Sequence, residues 1–174
     1  MKSTDVYAQL RAALGPWFKS EGFVRAKGLL SWCRRRGDRY TVVWCQISQD
    51  GWEPYAGSKF IVQFQRSLEP IVGFYPSPSR RLASLLTAEE REEVRAIQNS
   101  IIAELRQPPP NHPAFQISEN VTAWYREQFR LVEKPYSDRH DVWFRYSSNE
   151  HVDRWSQFIL GKLATCVRTV EAWA

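Results

Sequence analysis

The sequence predicts one α+β domain over residues 1–174, with an antiparallel sheet of about four strands and N-terminal, central and long C-terminal helices packed mainly on one face. Two observations lead there. Three stretches repeat apolar residues at three- and four-residue steps, and four short runs rich in β-branched and aromatic residues lie between Gly, Pro, Asp and Ser. The first two of those runs form a hairpin.

The first helix shows Val6, Tyr7, Leu10, Ala13, Leu14, Trp17 and Phe18 on one face behind Ser3 or Thr4 as N-cap, and Gly22 ends it. Gly15-Pro16 falls inside this pattern, so a kink or break is expected there. Strand character then occupies Leu29 to Arg35, Arg39 to Ser48 and Lys59 to Ser67. With Gly37-Asp38 at the turn, Arg36 faces Arg39. The period of two then puts Leu30, Trp32, Val43, Cys45 and Ile47 on the core face. Ser31, Cys33, Tyr40, Val42, Trp44 and Gln46 fall on the opposite face, either half-wet or covered by another segment.

Pro70, Gly73, Pro76 and Pro78 interrupt regular structure after the third strand. A helix opens at Thr87 with Glu90 as a capping box and carries Val94, Ile97, Ile101 and Leu105, until Pro108-Pro109-Pro110 forms a stiff connector. Phe115 to Val132 reads as helix, with Val121, Trp124, Tyr125 and Gln128 behind Ser118, although Trp124 to Leu131 also fits a polar strand. After a turn over Pro135 to Asp138, Asp141 to Tyr146 is a strand. The last helix starts near Ser147, capped by Glu150, with Val152, Trp155, Ile159, Leu163, Cys166, Val170 and Trp173 buried.

Several function classes are disfavoured by composition. No apolar run is long enough to span a bilayer and the first residues are polar, so neither secretion nor membrane insertion is expected. Cys33, Cys45 and Cys166 match neither a disulfide framework nor a zinc site, which suits a reducing cytoplasm. Charge is uneven: residues 1–86 hold thirteen Lys and Arg against six Asp and Glu, and residues 87–174 hold eleven against thirteen. A basic half attracts nucleic acid or acidic protein surfaces, and this concerns association, not chemistry.

The helix, the Gly22-Phe23 turn, the hairpin, Gln46-Ile47-Ser48, Gly57 to Phe64 and Asp141 to Arg145 follow in an order that resembles a bacterial domain-of-unknown-function family of small stand-alone α+β proteins. The resemblance implies an antiparallel sheet with packed helices, and it brings no activity and no catalytic residues.

The sharpest chemical feature is Arg34, Arg35, Arg36 and Arg39 at the hairpin tip, with Trp44, Trp52 and Tyr55 as aromatic neighbours. Together these seven form a candidate binding surface, in which Arg forks hold phosphates or carboxylates and the rings stack or anchor. Glu21, Asp50 and Glu53 are the carboxylates a metal-dependent nuclease would gather, but the third strand offers Gln63 and Gln65 where such a site needs an acid. His112, His140 and His151 lack metal-ligand spacing, and Cys33 reads as a small buried hydrophobe unless Arg34 and Arg35 lower its pKa. No cofactor motif is present, so no cofactor is expected. The expected function is a non-catalytic protein-binding module, such as a toxin-neutralising or accessory partner protein. Nucleic-acid binding through the basic hairpin is the first alternative and a metal-dependent nuclease the second.

Overall fold

A computed structural model describes residues 1–128 and 143–173. The order is α1 (Ser3–Ser20), β1 (Val24–Arg25), β2 (Leu30–Arg36), β3 (Arg39–Ile47), β4 (Ser58–Ser67), β5 (Ser79–Arg81), α2 (Ala88–Ala103), α3 (Glu119–Gln128), β6 (Phe144–Tyr146) and α4 (Asn149–Glu171). The fold is α+β with an antiparallel sheet, as expected, but the sheet has six strands instead of about four. Strands β1 to β4 run as neighbours, and the outer edge of β4 is shared: β5 pairs with Gln63 to Gln65 and β6 with Ser58 to Phe60. Two- and three-residue strands such as β1 and β5 are too short to show a period-two pattern, so pairing and not local sequence defines them.

The hairpin register is the one the turn implied. Arg36 lies opposite Arg39 and Trp32 opposite Val43. Leu30, Trp32, Val43, Cys45 and Ile47 accordingly join Phe60, Val62 and Phe64 in one buried cluster with α1, α2 and α4. In α4, Val152, Trp155, Ile159, Leu163, Cys166 and Val170 face that cluster, and Trp155 also donates its Nε1–H to the Arg145 carbonyl at 2.6 Å.

Helix α1 does not break at Gly15-Pro16. Its buried residues Val6, Leu10, Leu14 and Phe18 lie on both sides of Pro16, and this continuous apolar face holds the helix together where one backbone bond is lost. Its N-cap is Lys2, whose backbone N–H donates to Asp5 at 3.3 Å, and not Ser3 or Thr4. At the other end Gly22 (φ 76°) forms a Schellman turn. Phe23 N–H bonds the Phe18 carbonyl at 2.9 Å and the two rings meet edge-on at 5.2 Å.

Helix α2 has the capping box expected of Thr87 and Glu90, and Leu105 lies just past its end. The start of α4 is one residue later than expected. Ser148, not Ser147, is the cap, and its Oγ accepts from the His151 N–H at 3.3 Å, so no capping box with Glu150 forms. The ambiguous segment is helical over Glu119–Gln128. Residues 129–132 of that segment, the turn at Pro135 to Asp138, His140 and the first residues of the strand expected at Asp141 lie outside the described residues.

The second face of the sheet is covered over Ser31, Cys33, Val42 and Trp44, while Tyr40 and Gln46 stay half-buried. Residues 68–78 fold across it, and Val72 packs against Cys33, Val42 and Trp44. Gln65 holds this cover by its buried amide: Oε1 accepts from Gly73 N–H at 2.9 Å, while Nε2 donates to the carbonyls of Phe74 at 3.2 Å and Ile71 at 3.4 Å. Ile71 also forms a bridge with Lys27, tying the cover to the β1–β2 connection.

Candidate functional site

The seven residues expected to form one binding surface are dispersed. The chain runs from the hairpin tip along all of β3 before reaching Trp52 and Tyr55, and nine extended residues span roughly 27 Å. The arginines and these two aromatics therefore sit at opposite ends of the sheet. Trp44 lies between them, buried beneath the 68–78 cover. Tyr55 and Phe115 both pack on Ala56, and Tyr55 meets the His112 ring edge-on at 5.3 Å, which fastens the Pro-rich connector to the loop after β3, while Trp52 is exposed.

The arginines themselves divide by face. Arg34 is in phase with Leu30 and Trp32, so it turns toward the helices and is only 9 % exposed. Its Nη2 and Nε donate to Glu171 at 2.8 and 3.0 Å, its Nη1 donates to the Glu21 carbonyl at 2.6 Å, and its guanidinium lies 4.6 Å from the Phe23 ring centre. This side chain joins β2 to the ends of α1 and α4. Arg35 faces the other way, exposed, over Tyr40, and Arg36 is exposed with Glu171 at 3.9 Å. Arg39 is half-buried.

The carboxylates of the nuclease alternative do not meet. Glu21 lies beside Arg34 near the hairpin tip, Asp50 bonds Lys59 at 2.9 Å past the far end of β3, and Glu53 Oε2 accepts the N–H groups of Tyr55 and Ala56. Among the described residues no group of three or more His, Cys, Asp or Glu is placed to hold a metal ion. The thiols are free and buried. Burial pushes Cys45 and Cys166 up to about 12 and raises Cys33, so the neighbouring arginines do not activate Cys33.

His151 is buried in a polar network that serves packing. Its Nδ1 accepts from the Ser147 N–H at 3.1 Å, which leaves the proton on Nε2 to donate to Glu104 at 2.7 Å; Arg154 reaches the same carboxylate at 3.2 Å. The His151 hydrogen bond, then Arg154, hold the Glu104 carboxyl below the usual range, and Lys59 and Ser48 do the same for Asp50. A depressed folded-state pKa contributes stability above the unfolded value, about 4 for a carboxyl, and that contribution is lost as pH falls through the folded value. Denaturation measured from neutral to acid pH should therefore show stability falling below roughly pH 5, with a shallower fall in Glu104→Gln. Because Glu104 is nearly half exposed, its part is about 0.5 kcal/mol. An acid limb unchanged in Glu104→Gln would show that this carboxyl is not coupled to folding.

The surface that sequence reading missed is the outside of the 68–78 cover. Tyr75 is 90 % exposed and Ile71 51 %, and Val24, cross-strand from Cys33 at the edge of the cover, is 64 %. The Lys27–Ile71 bridge brings exposed Lys27 to the same place, and exposed Arg35 shares the covered face of β2. The signal was Gln65: a polar residue mid-strand, opposite Val42, requires a hydrogen-bonding cover, and Ile71, Val72 and Tyr75 occupy the next loop. No helix among the described residues is long and apolar enough to cross a membrane. No protein-family model, curated protein or solved structure matches the chain.

Proposed function

We propose that this protein is a non-catalytic binding module for another protein, docking through the outer surface of the 68–78 cover beside β1. The observation that carries this reading is the exposure of Tyr75, Ile71 and Val24 around one anchored segment. Large apolar side chains held in water by a loop that is itself hydrogen-bonded to the sheet stabilise nothing in the isolated chain, and aromatic side chains of this kind are enriched as interface anchors. The cover is preorganised by Gln65, which lowers the ordering cost of docking. Three free, buried thiols suit a reducing, cytoplasmic setting for the complex.

Nucleic-acid binding by the basic hairpin is less well supported, because the aromatic half of that site is buried at Trp44 or lies at the far end of the sheet at Trp52 and Tyr55. Arg34, engaged by Glu171 and Glu21, is not available to phosphates.

Native mass measurement and cross-linking in extracts of the source cell test the proposal. The expected result is a complex with the unmodified chain and its loss in Ile71→Ser with Tyr75→Ser, while melting temperatures of the two agree within about 2 °C because both sites are exposed. Recovery of the unmodified chain only as a free monomer would count against a binding module.

A further inference from the structure

We infer that the partner presents an acidic protein segment carrying apolar anchors, so that carboxylates meet Lys27 and Arg35 while apolar side chains bury Val24, Ile71 and Tyr75. This rests on the docking reading above and names the chemistry of its partner. The two cations flank Val24 along the β1–β2 edge. Val24 pairs with Cys33 on β2, Arg35 is two residues further along β2 on the same face, and Lys27 bridges to Ile71.

Among the described residues no carboxylate pairs with either cation. Lys27 has no ion pair among the described residues, and Arg35 donates to the Gly37 carbonyl at 3.1 Å and lies over the Tyr40 ring at 5.8 Å, contacts that leave its charge uncompensated. Arg34, by contrast, is paired with Glu171 at 2.8 Å, while Arg25 donates to the Ser31 carbonyl at 2.6 Å and lies over the Trp32 ring. Glu69, at the start of the cover, is the acid this segment contributes. Residues 1–86, which build β1 to β5 and the cover, hold thirteen Lys and Arg against six Asp and Glu, so the longer-range field has the same sign as the local one.

A partner that buried these apolar side chains without supplying carboxylates would desolvate Lys27 and Arg35 for no return. A basic partner would add like-charge repulsion. An acidic segment resolves both problems, since carboxylates at the rim accept from the Arg fork and the Lys ammonium while the rings and branched side chains exclude water. A nucleic-acid strand would also satisfy the cations, but Val24 and Ile71 offer it no stacking face, and these aliphatic anchors favour a protein.

A displayed random-peptide library selected on the full chain, with charge content of the selected sequences as first readout, tests this. Acidic sequences containing Trp, Phe or Leu should be enriched. Synthetic versions should lose at least about tenfold in affinity in Ile71→Ser, and again in Lys27→Glu with Arg35→Glu, with binding weakened by added salt. Selected peptides of no acidic bias that depend on Ile71 but not on Lys27 and Arg35 would overturn the acidic partner and leave the docking surface standing. Peptides indifferent to both sets of substitutions would overturn both readings. A single-stranded oligothymidylate that binds through Lys27 and Arg35, displaces the peptides and is unaffected by Ile71→Ser would overturn the acidic protein segment in favour of a nucleic acid.

Discussion

Gly57→Ala should destabilise the protein by about 3–5 kcal/mol, against roughly 1 kcal/mol for Gly22→Ala. Both glycines are in the left-handed region, at φ 66° and 76°, so each replacement carries a similar backbone cost. Their surroundings differ. A Cβ on Gly22 meets nothing within 4 Å, whereas one on Gly57 would lie 2.2 Å from the Tyr146 carbonyl oxygen and 3.0 Å from its carbon.

Those are backbone atoms, so no side-chain rotation relieves the overlap. Gly57 also closes a tight loop: its N–H donates to Glu53 at 2.6 Å and its carbonyl accepts from the Glu53 N–H at 3.1 Å. The next residue, Ser58, pairs with Tyr146 at the start of the β4–β6 ladder. An added methyl must therefore open the loop or displace β6, and β6 carries Phe144 and Tyr146 into the core. A loss of this size is a large part of the roughly 5–15 kcal/mol that holds a domain folded, and should appear as a drop in melting temperature of about 10 °C. Equal effects of the two substitutions in chemical denaturation would mean that β6 does not press on Gly57.

Legibility in the sequence followed the length over which a pattern could repeat. β2 and β3 run for seven and nine residues, so their core face could be read from Gly37-Asp38 outward, and the register agreed at Trp32–Val43. α4 repeats its apolar stripe over twenty-three residues, enough to read all but the cap and Trp173, which lies half-buried past the helix end. β1 and β5 have no room for a pattern. Pro16 misled for a different reason: a local penalty at one residue was outweighed by Leu14 and Phe18, which tertiary packing buries on either side of it.

The site was less legible than the fold, since charges adjacent in sequence need not share a face. Arg34, Arg35 and Arg36 alternate faces along a strand, so a run of three cannot form one cationic tip. The same alternation that placed Trp32 in the core assigned Arg34 to it as well. The cover over Gln65 depends on contacts between β4 and a loop whose sequence shows only Pro and Gly punctuation, and such contacts leave no periodic trace.

Arg34→Ala should cost about 2–4 kcal/mol, while Arg35→Ala and Arg36→Ala should each stay within about 0.5 kcal/mol. Removing Arg34 leaves Glu171, itself largely shielded, in the last turn of α4 without its closest partner, where the helix dipole disfavours a carboxylate. It also leaves the Glu21 carbonyl at the α1 C-cap without the donor at 2.6 Å, and removes the cation from the face of Phe23. Three elements would thus loosen together, which is why this arginine should outweigh its neighbours.

Arg34→Lys should recover only part of the loss, because one ammonium cannot donate to Glu171 and the Glu21 carbonyl through separate fixed arms. The coupling between Arg34 and Glu171 can be isolated by a double-mutant cycle in urea: Arg34→Ala, Glu171→Gln and their combination should be non-additive by about 1–2 kcal/mol. Arg36, at 3.9 Å from Glu171 and mostly solvated, should show a coupling several times smaller. If Arg34→Ala proved as harmless as Arg35→Ala, the clamp between hairpin and helices would be a contact without energetic weight. Arg34 would then return to the pool of cations available to a partner.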